Sequence, residues 1–418
     1  MANPDRWDRI SIPEFQDLAQ RFGTPFFLYS ADEICRRIDL VRESMGKLVE
    51  IFYAVKANPN IELLKRIRTS ADGLDVSSEG ELEQGFMAGF NMANVSFAGP
   101  AKTVNELRLA IQRGAGFISI ESLRELKECI EISSAIGIKA NIGIRINPPS
   151  VNRSFGIKMG GRPMQFGIDE EDLNPALELI HNNLAHLDFR GIHIYEGSQC
   201  FETGGIMESV LNCLRITRQI ESQTGLCCRT INFGGGFGVS HGENNHELDV
   251  NALAKELIPT LREFQSSSQV KRQFVFELGR FLTAEAGIYV SQVVSAKQSR
   301  GKTFVIVNGG LHHHLSAAGT FGTALRSNFA LRNISRPNAP KIRCNIAGPS
   351  CNPTDLLGID VELSQPEQGD LIAVLKSGSY GFTASPLLFL GRRTPVEIIR
   401  HRGETFLGRP SRTILDFN

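Results

Sequence analysis

The chain repeats one phrase. A short apolar run ends on a small or polar residue, and a stretch with apolar positions about every 3.6 residues follows. Eight such runs occur, at 51–55, 73–76, 95–98, 117–120, 140–146, 189–195, 230–233 and 274–277. They are biased toward β-branched and aromatic residues and are apolar on both faces, the pattern of buried parallel strands. Helical periodicity fills the intervals at 61–68, 81–90, 104–113, 122–136, 173–182, 205–220 and 250–264, with Leu107, Leu109 and Ile111 as a stripe expected to be buried. Eight strand–helix units over roughly 230 residues predict a (β/α)₈ TIM barrel. An open doubly wound sheet uses the same units, but no GxGxxG follows an early strand.

Beyond the barrel the period changes to two. Segments 284–296, 303–307, 341–347 and 370–374 alternate apolar and polar, with turn residues between them and few helical stretches. They predict a C-terminal β domain, a sandwich or barrel. Segment 24–29 (TPFFLY) is a further strand that precedes the barrel. The expected division is an N-terminal segment 1–34 that joins the β domain, a barrel over 35–283, and the β domain over 284–418.

Composition narrows the function classes. Of 418 residues, 45 are Lys or Arg and 45 are Asp or Glu, so the formal net charge is zero. A protein whose main partner is a nucleic acid carries a basic excess or patch, and none is predicted. No run approaches the ~20 apolar residues of a membrane span, and residues 1–8 are polar without a targeting pattern. Cys35, Cys129, Cys200, Cys213, Cys227, Cys228, Cys344 and Cys351 include no CxxC pair, so reduced thiols in a cytoplasm are expected.

In a TIM barrel, chemistry collects at the C-terminal ends of the strands. The first run ends in FYAVKANPN, with Lys56 at its tip. A desolvated lysine there is a nucleophile able to form a Schiff base, and a lysine that simply reaches solvent is the competing account. The sixth run ends in GIHIYEGSQ, which offers His193, Tyr195 and Ser198, the first two expected on one strand face. Their rings could stack on a cofactor or fill the core. The seventh run ends in NFGGGFG, where Gly234, Gly235 and Gly236 let backbone N–H groups approach a phosphate, or simply make a tight turn. The eighth ends in FVFELGR, with Glu277 at the tip and Gly279 and Arg280 following. Glu277 could hold a pyridine nitrogen protonated, as pyridoxal 5′-phosphate (PLP) requires, or pair with Arg280. The adjacent His312, His313 and His314 cannot all reach one ion from an extended chain, so no metal site is expected.

The motifs FYAVKANPN, GLDVSSEGEL, RINP, GSQ, NFGGGFG, ELGR, GPSCNPTD and GSYGF stand in the order found in the fold-type III PLP-dependent decarboxylases, and the chain resembles that family from about Thr24 to Ile399. The family shares its alanine-racemase-like fold and includes diaminopimelate and ornithine decarboxylases. The resemblance implies a PLP cofactor anchored on Lys56, with Glu277 on the ring nitrogen. It places Ser198, Gly234, Gly235, Gly236, Arg280 and Tyr380 around the phosphate, and Asp75, Arg145 and Gly279 at or near the cofactor. Cys351 of GPSC would return a proton to the substrate carbon from a partner subunit, in a homodimer with shared active sites.

Three departures bear on the substrate. Tyr195 stands where the family has its ring-stacking histidine, ELGR replaces EPGR, and Cys351-Asn352-Pro353 replaces the CES of the diaminopimelate enzymes. The last change removes a glutamate that reads the distal amino group. The segments SFGIKMGGRPMQFGI, VIVNGGLHHH and GRRTPVEI are similar to the butirosin-type glutamyl-carrier-protein decarboxylases. A free amino acid such as diaminopimelate, ornithine or lysine and an aminoacyl group on an acyl carrier protein both stay open. A racemase of the same fold would need a second base in place of Cys351. A PLP-carrying regulator would lack the β domain.

Overall fold

The computed structural model describes residues 10–243, 246–319, 321 and 327–417. The polar run expected at 1–8 lies outside the described residues, as do positions 320, 322–326 and 418 of the predicted β domain. The chain forms two compact units. One holds residues 35–238 and 247–282, and the other holds the chain up to Ile34, residues 239–246 and the chain from Thr283 onward.

The first unit is a closed parallel barrel. Its strands are β1 (Val49–Ala54), β2 (Gly73–Val76), β3 (Val95–Phe97), β4 (Phe117–Ile120), β5 (Ala140–Asn147), β6 (Leu187–His193), β7 (Thr230–Asn232) and β8 (Gln273–Leu278). Each pairs with the next in chain order, and β8 pairs in parallel with β1, which makes a barrel of what could have been an open sheet. Ile51, Leu74, Phe97, Ile118, Ile142, Ile192, Ile231 and Phe276 are buried, so the apolar runs supply the core. Polar caps start the helices shortly after the strands. The Asn60 side chain accepts from the backbone N–H groups of Glu62 and Leu63, and Thr103 with Glu106 forms a capping box.

In the barrel the structure corrects two local expectations. Helix Val104–Arg113 buries Leu107, Ala110 and Ile111, and Leu109 is only partly covered. Positions i, i+3 and i+4 share a helix face, whereas i+2 lies well round the cylinder. Strand β6 ends at His193, so Tyr195 lies beyond the strand and shares no strand face with it. Just after it, Gly197–Cys200 pairs antiparallel with Phe155–Lys158 in a small separate sheet.

The second unit is mostly sheet. Strand Phe26–Ser30 runs antiparallel to Gly287–Ser299 and parallel to Val396–His401. Phe26, Leu28, Ile288, Val290, Leu371, Ala373 and Ile398 form its core together with Phe15 and Leu18 of helix Ile12–Phe22. The strand expected from residue 284 begins at Gly287, because Ala284–Ala286 is a 3₁₀ turn continuing from a short helix. Alanine favours helical over extended backbone, which accounts for the late start.

Candidate active site

The C-terminal ends of the barrel strands carry a ring of buried polar side chains. Strand register sets Asp75 beside Ala54, Arg145 beside His193, and His193 beside Asn232. Lys56 follows β1 in the 3₁₀ turn Val55–Ala57. Its Nζ donates to Asp75 Oδ2 at 2.5 Å. Asp75 has no exposed surface, and its carboxyl is pushed up to about 6. Burial is the main cause and the nearby Glu277 adds to it, while Lys56 and His193 oppose the shift.

Glu277 sits near the end of β8 and is 8% exposed. Asn232 Nδ2 donates to its Oε1 at 2.5 Å, and His193 Nε2 lies 3.4 Å from its Oε2. The carboxylate is therefore engaged by β7 and faces β6, where the sequence allowed an ion pair with Arg280. Ser119 Oγ lies 2.9 Å from His193 Nδ1. Arg145 is paired with Glu121 at 3.0 Å. Burial alone would raise the Glu121 carboxyl, but Arg145, Lys102 and the backbone N–H groups of Gly99 and Gly167 hold it below its ordinary value.

The glycine loop is crowded against this ring. A Cβ at Gly235 would lie 2.0 Å from the Glu277 carbonyl oxygen. One at Gly236 would lie 2.2 Å from the Gly197 carbonyl oxygen, and Gly236 has φ +99°. The Tyr195 ring rests on Gly234, where a Cβ would come 2.6 Å from Cδ2. Cys200 N–H donates to the Gly236 carbonyl at 2.8 Å, so the strand carrying Ser198 runs alongside the loop. Gly279 packs on the turn of Lys56, since a Cβ there would meet Ala57 Cβ at 2.9 Å. Arg280, 8% exposed, opens the next short helix.

Lys56, Asp75, Arg145, Tyr195, Ser198, the three glycines, Glu277, Gly279 and Arg280 thus all lie on the barrel unit. Cys351 and Tyr380 belong to the second unit. Cys351 is exposed in a turn organised by Asp355, whose carboxylate accepts from Ser350 N at 2.9 Å and Leu311 N at 2.6 Å. Asn352 Oδ1 is engaged by Thr354 N and Oγ1 at 3.0 and 2.9 Å. Tyr380 is half-buried with φ +52°, and its carbonyl accepts from Ser316 Oγ. The histidine run is core. His313 contacts Tyr289 OH and the Arg393 carbonyl, and the His314 ring packs on Phe27, Tyr289 and Phe329. Among the described residues no group of three or more His, Cys, Asp or Glu side chains could hold a metal ion.

The fold also brings Ser119, Glu121 and Asn232 into the ring and gives His193 a partner there. Their partners lie on other strands, so the sequence offers no signal for them beyond His193 as a strand-end polar residue.

The pyridoxal-binding domain of the pyridoxal-dependent decarboxylases matches residues 31–284. The chain belongs to that family. Over 410 residues it is 38% identical to the L-glutamyl-[BtrI acyl-carrier protein] decarboxylase of Niallia circulans, covering 96% of this chain and 95% of that one. It is 30% identical to the diaminopimelate decarboxylase of Aquifex aeolicus, covering 88% and 85%. The crystal structure of Helicobacter pylori diaminopimelate decarboxylase complexed with L-lysine superposes with a TM-score of 0.85 at 29% identity, covering 96% of this chain and 98% of that one. This decarboxylase is therefore an enzyme of the fold-type III class with PLP as its cofactor. Its barrel fits that group. The loop leaves no room for a side chain at Gly235 or Gly236, so a bound group would meet bare backbone there, and Asp75 Oδ1 and His193 Nε2 are buried without a hydrogen-bond partner. No helix among the described residues is long and apolar enough to cross a membrane.

Proposed function

We propose that this decarboxylase removes the α-carboxyl group of a glutamyl-like group carried on an acyl carrier protein. The observation that carries the chemistry is the convergence, on one barrel rim, of the Lys56–Asp75 pair, the Glu277 carboxylate held by Asn232, and the crowded glycine loop. The substrate class is supported by the 38% likeness to a glutamyl-carrier-protein decarboxylase. It is supported also by Asn352, an amide whose oxygen is used by Thr354, where diaminopimelate enzymes have a glutamate.

In this reading Lys56 would anchor the cofactor, and Asp75 would orient the Lys56 amine whenever it is free. Glu277 would face the ring nitrogen. Gly234–Gly236, Ser198, Arg280 and Tyr380 would hold the phosphate, Gly279 would give the cofactor room, and Tyr195, seated on Gly234, would be placed to lie against the ring. When bound, the cofactor supplies the sink for the electron pair released as the Cα–carboxylate bond breaks. Cys351 returns a proton to Cα. The working form is a homodimer whose sites are completed by a second copy, in a cytoplasm, with no role for nucleic acid, membrane or metal.

The deciding experiment is CO₂ release from a panel of glutamyl-carrier protein, free glutamate, ornithine, lysine and diaminopimelate. Turnover of the carrier-bound group with little of any free amino acid is expected. Preferential turnover of diaminopimelate would overturn the substrate assignment and leave the site chemistry standing. Mixing Lys56→Ala and Cys351→Ala chains tests the shared site, because only a hybrid dimer then holds an intact one.

A further inference from the structure

His193 closes β6 with Asn232 on one flank and Arg145 on the other, and it is 1% exposed. Its Nδ1 is 2.9 Å from the buried Ser119 hydroxyl. Its Nε2 is 3.4 Å from Glu277 Oε2 and has no hydrogen-bond partner. Asn232 occupies the other oxygen of the same carboxylate. A neutral imidazole has one donor and one acceptor nitrogen, and an ionised carboxylate only accepts. A hydroxyl can donate or accept. If the ring faces Glu277 as a donor, its proton sits on Nε2, Nδ1 must accept, and Ser119 must donate. One tautomer satisfies both neighbours.

We propose that His193, held as the neutral Nε2–H tautomer by the acceptor-only carboxylate of Glu277 while Ser119 donates to Nδ1, is a positioning residue that donates to Glu277 Oε2 and, with Asn232 on Oε1, clamps the carboxylate in its working orientation. The clamp rests on the reading of Glu277 given above. Hydrogen bonds of this kind are often long before substrate is bound and tighten afterwards. The surroundings of the ring favour neutrality on balance. Burial and Arg145 drive the imidazole down to about 3, Lys56 acts the same way, and Asp75 and Glu121 oppose them. Second-layer partners that orient an active-site ligand commonly change activity about 10- to 100-fold when removed.

The test begins on cofactor-free protein with ¹⁵N-labelled histidine, followed by NMR from pH 5 to 9. His193, assigned by the signal lost in His193→Gln, is expected as an Nε2–H ring that does not titrate. Ser119→Ala should leave the Nε2–H tautomer in place, whereas Glu277→Gln, whose amide can also donate, should shift the Nε2 resonance and admit the other tautomer. A titrating His193, an Nδ1–H ring, or a signal indifferent to Glu277→Gln would overturn the clamp. In the holoenzyme, His193→Phe should lower kcat about 10- to 100-fold with KM little changed. His193→Gln, which keeps an N–H donor, should recover part of that loss, and equal losses in the two variants would reduce His193 to packing and sink the proposal. If His193→Phe fails to fold, the tautomer measurement in Glu277→Gln decides. A fully active Glu277→Gln enzyme overturns the reading of Glu277 and the clamp with it. A wrong tautomer beside an inactive Glu277→Gln enzyme overturns the clamp alone.

Discussion

Lys56 Nζ donates to Asp75 Oδ2 at 2.5 Å, joining the turn after β1 to a carboxylate with no exposed surface. The lysine is 40% exposed on its side chain. The pair is thus asymmetric, with an amine that a reactant can reach and a carboxylate that water cannot. Asp75 carries the cost of burial and Lys56 offsets part of it, which ties the reactive amine to one direction while it waits for a partner.

Lys56→Ala should therefore abolish the visible absorbance of bound cofactor, and unchanged absorbance would refute the anchor. It should also weaken the cofactor-free fold in a pH-dependent way. Asp75 then keeps a buried charge without its amine, at about 1–3 kcal/mol. The Asp75 carboxyl is already raised to about 6, so its folded form binds a proton more tightly than the unfolded chain does. The stabilisation from that proton is full below the unfolded value and lost as pH rises through 6. The deficit of the variant should be largest near pH 8 and shrink toward pH 5, as read by denaturant unfolding.

Glu81 extends the same logic. Its carboxyl is pushed up to about 7, mainly by burial and also by Asp75, while the Ser77 N–H and Lys56 pull it down. A raised carboxyl loses stability as pH climbs through its folded value. Glu81→Gln keeps an oxygen for Ser77, so it should stabilise the cofactor-free protein at pH 8 by on the order of 2 kcal/mol, discounted for partial exposure, and by less at pH 5. An equal effect at both pH values would show that Glu81 is not burdened by its charge.

The barrel was legible because each of its strands is buried on both faces and so appears as an apolar run, and because Asn60 and Thr103 punctuate the chain where helices begin. Lys56, Glu277 and the three glycines were legible for a related reason, since they end such runs. The pairing of Glu277 was not. Its partners, Asn232 and His193, are chosen by strand register across three strands, and a local pattern carries no register. Alternation runs on past His193 in the sequence and so puts Tyr195 on a strand face, whereas the backbone leaves the sheet there to pack its ring on Gly234.

Packing of the glycine loop separates crowding from simple flexibility. Gly235→Ala would drive a methyl group to 2.0 Å from a backbone carbonyl, and Gly236→Ala to 2.2 Å from another at φ +99°. Neither neighbour is a side chain that can swing away, so each variant should lose well over 1 kcal/mol of stability and bind PLP more weakly. Gly204, in the helix Thr203–Thr224, has open space where a methyl group would sit, with nothing within 4 Å of that point. Gly204→Ala should leave cofactor affinity unchanged and raise stability by about 0.5–1 kcal/mol, as measured by thermal melting. Tolerance of Gly235→Ala would disprove the tight loop.

Cys351 presents an exposed free thiol from a turn held by Asp355, whose carboxylate accepts from the Leu311 and Ser350 backbone N–H groups rather than from the sulfur. Cys351→Ala should accordingly leave the fold and the absorbance of bound cofactor intact. If the thiol returns the proton to Cα, kcat should fall about 10²- to 10⁴-fold, the usual range for loss of a positioned acid. The stereochemistry is the sharper readout. Turnover in D₂O by the unsubstituted enzyme should place deuterium on one face of the product carbon, because the donor is fixed. With Cys351 replaced, protons would arrive from Lys56 or from water, and the label should spread over both faces. Asp355→Asn keeps one acceptor oxygen but loses the second, so it should give an intermediate loss of rate with the label still on one face. Full turnover with unchanged labelling in Cys351→Ala would assign the proton return to another group.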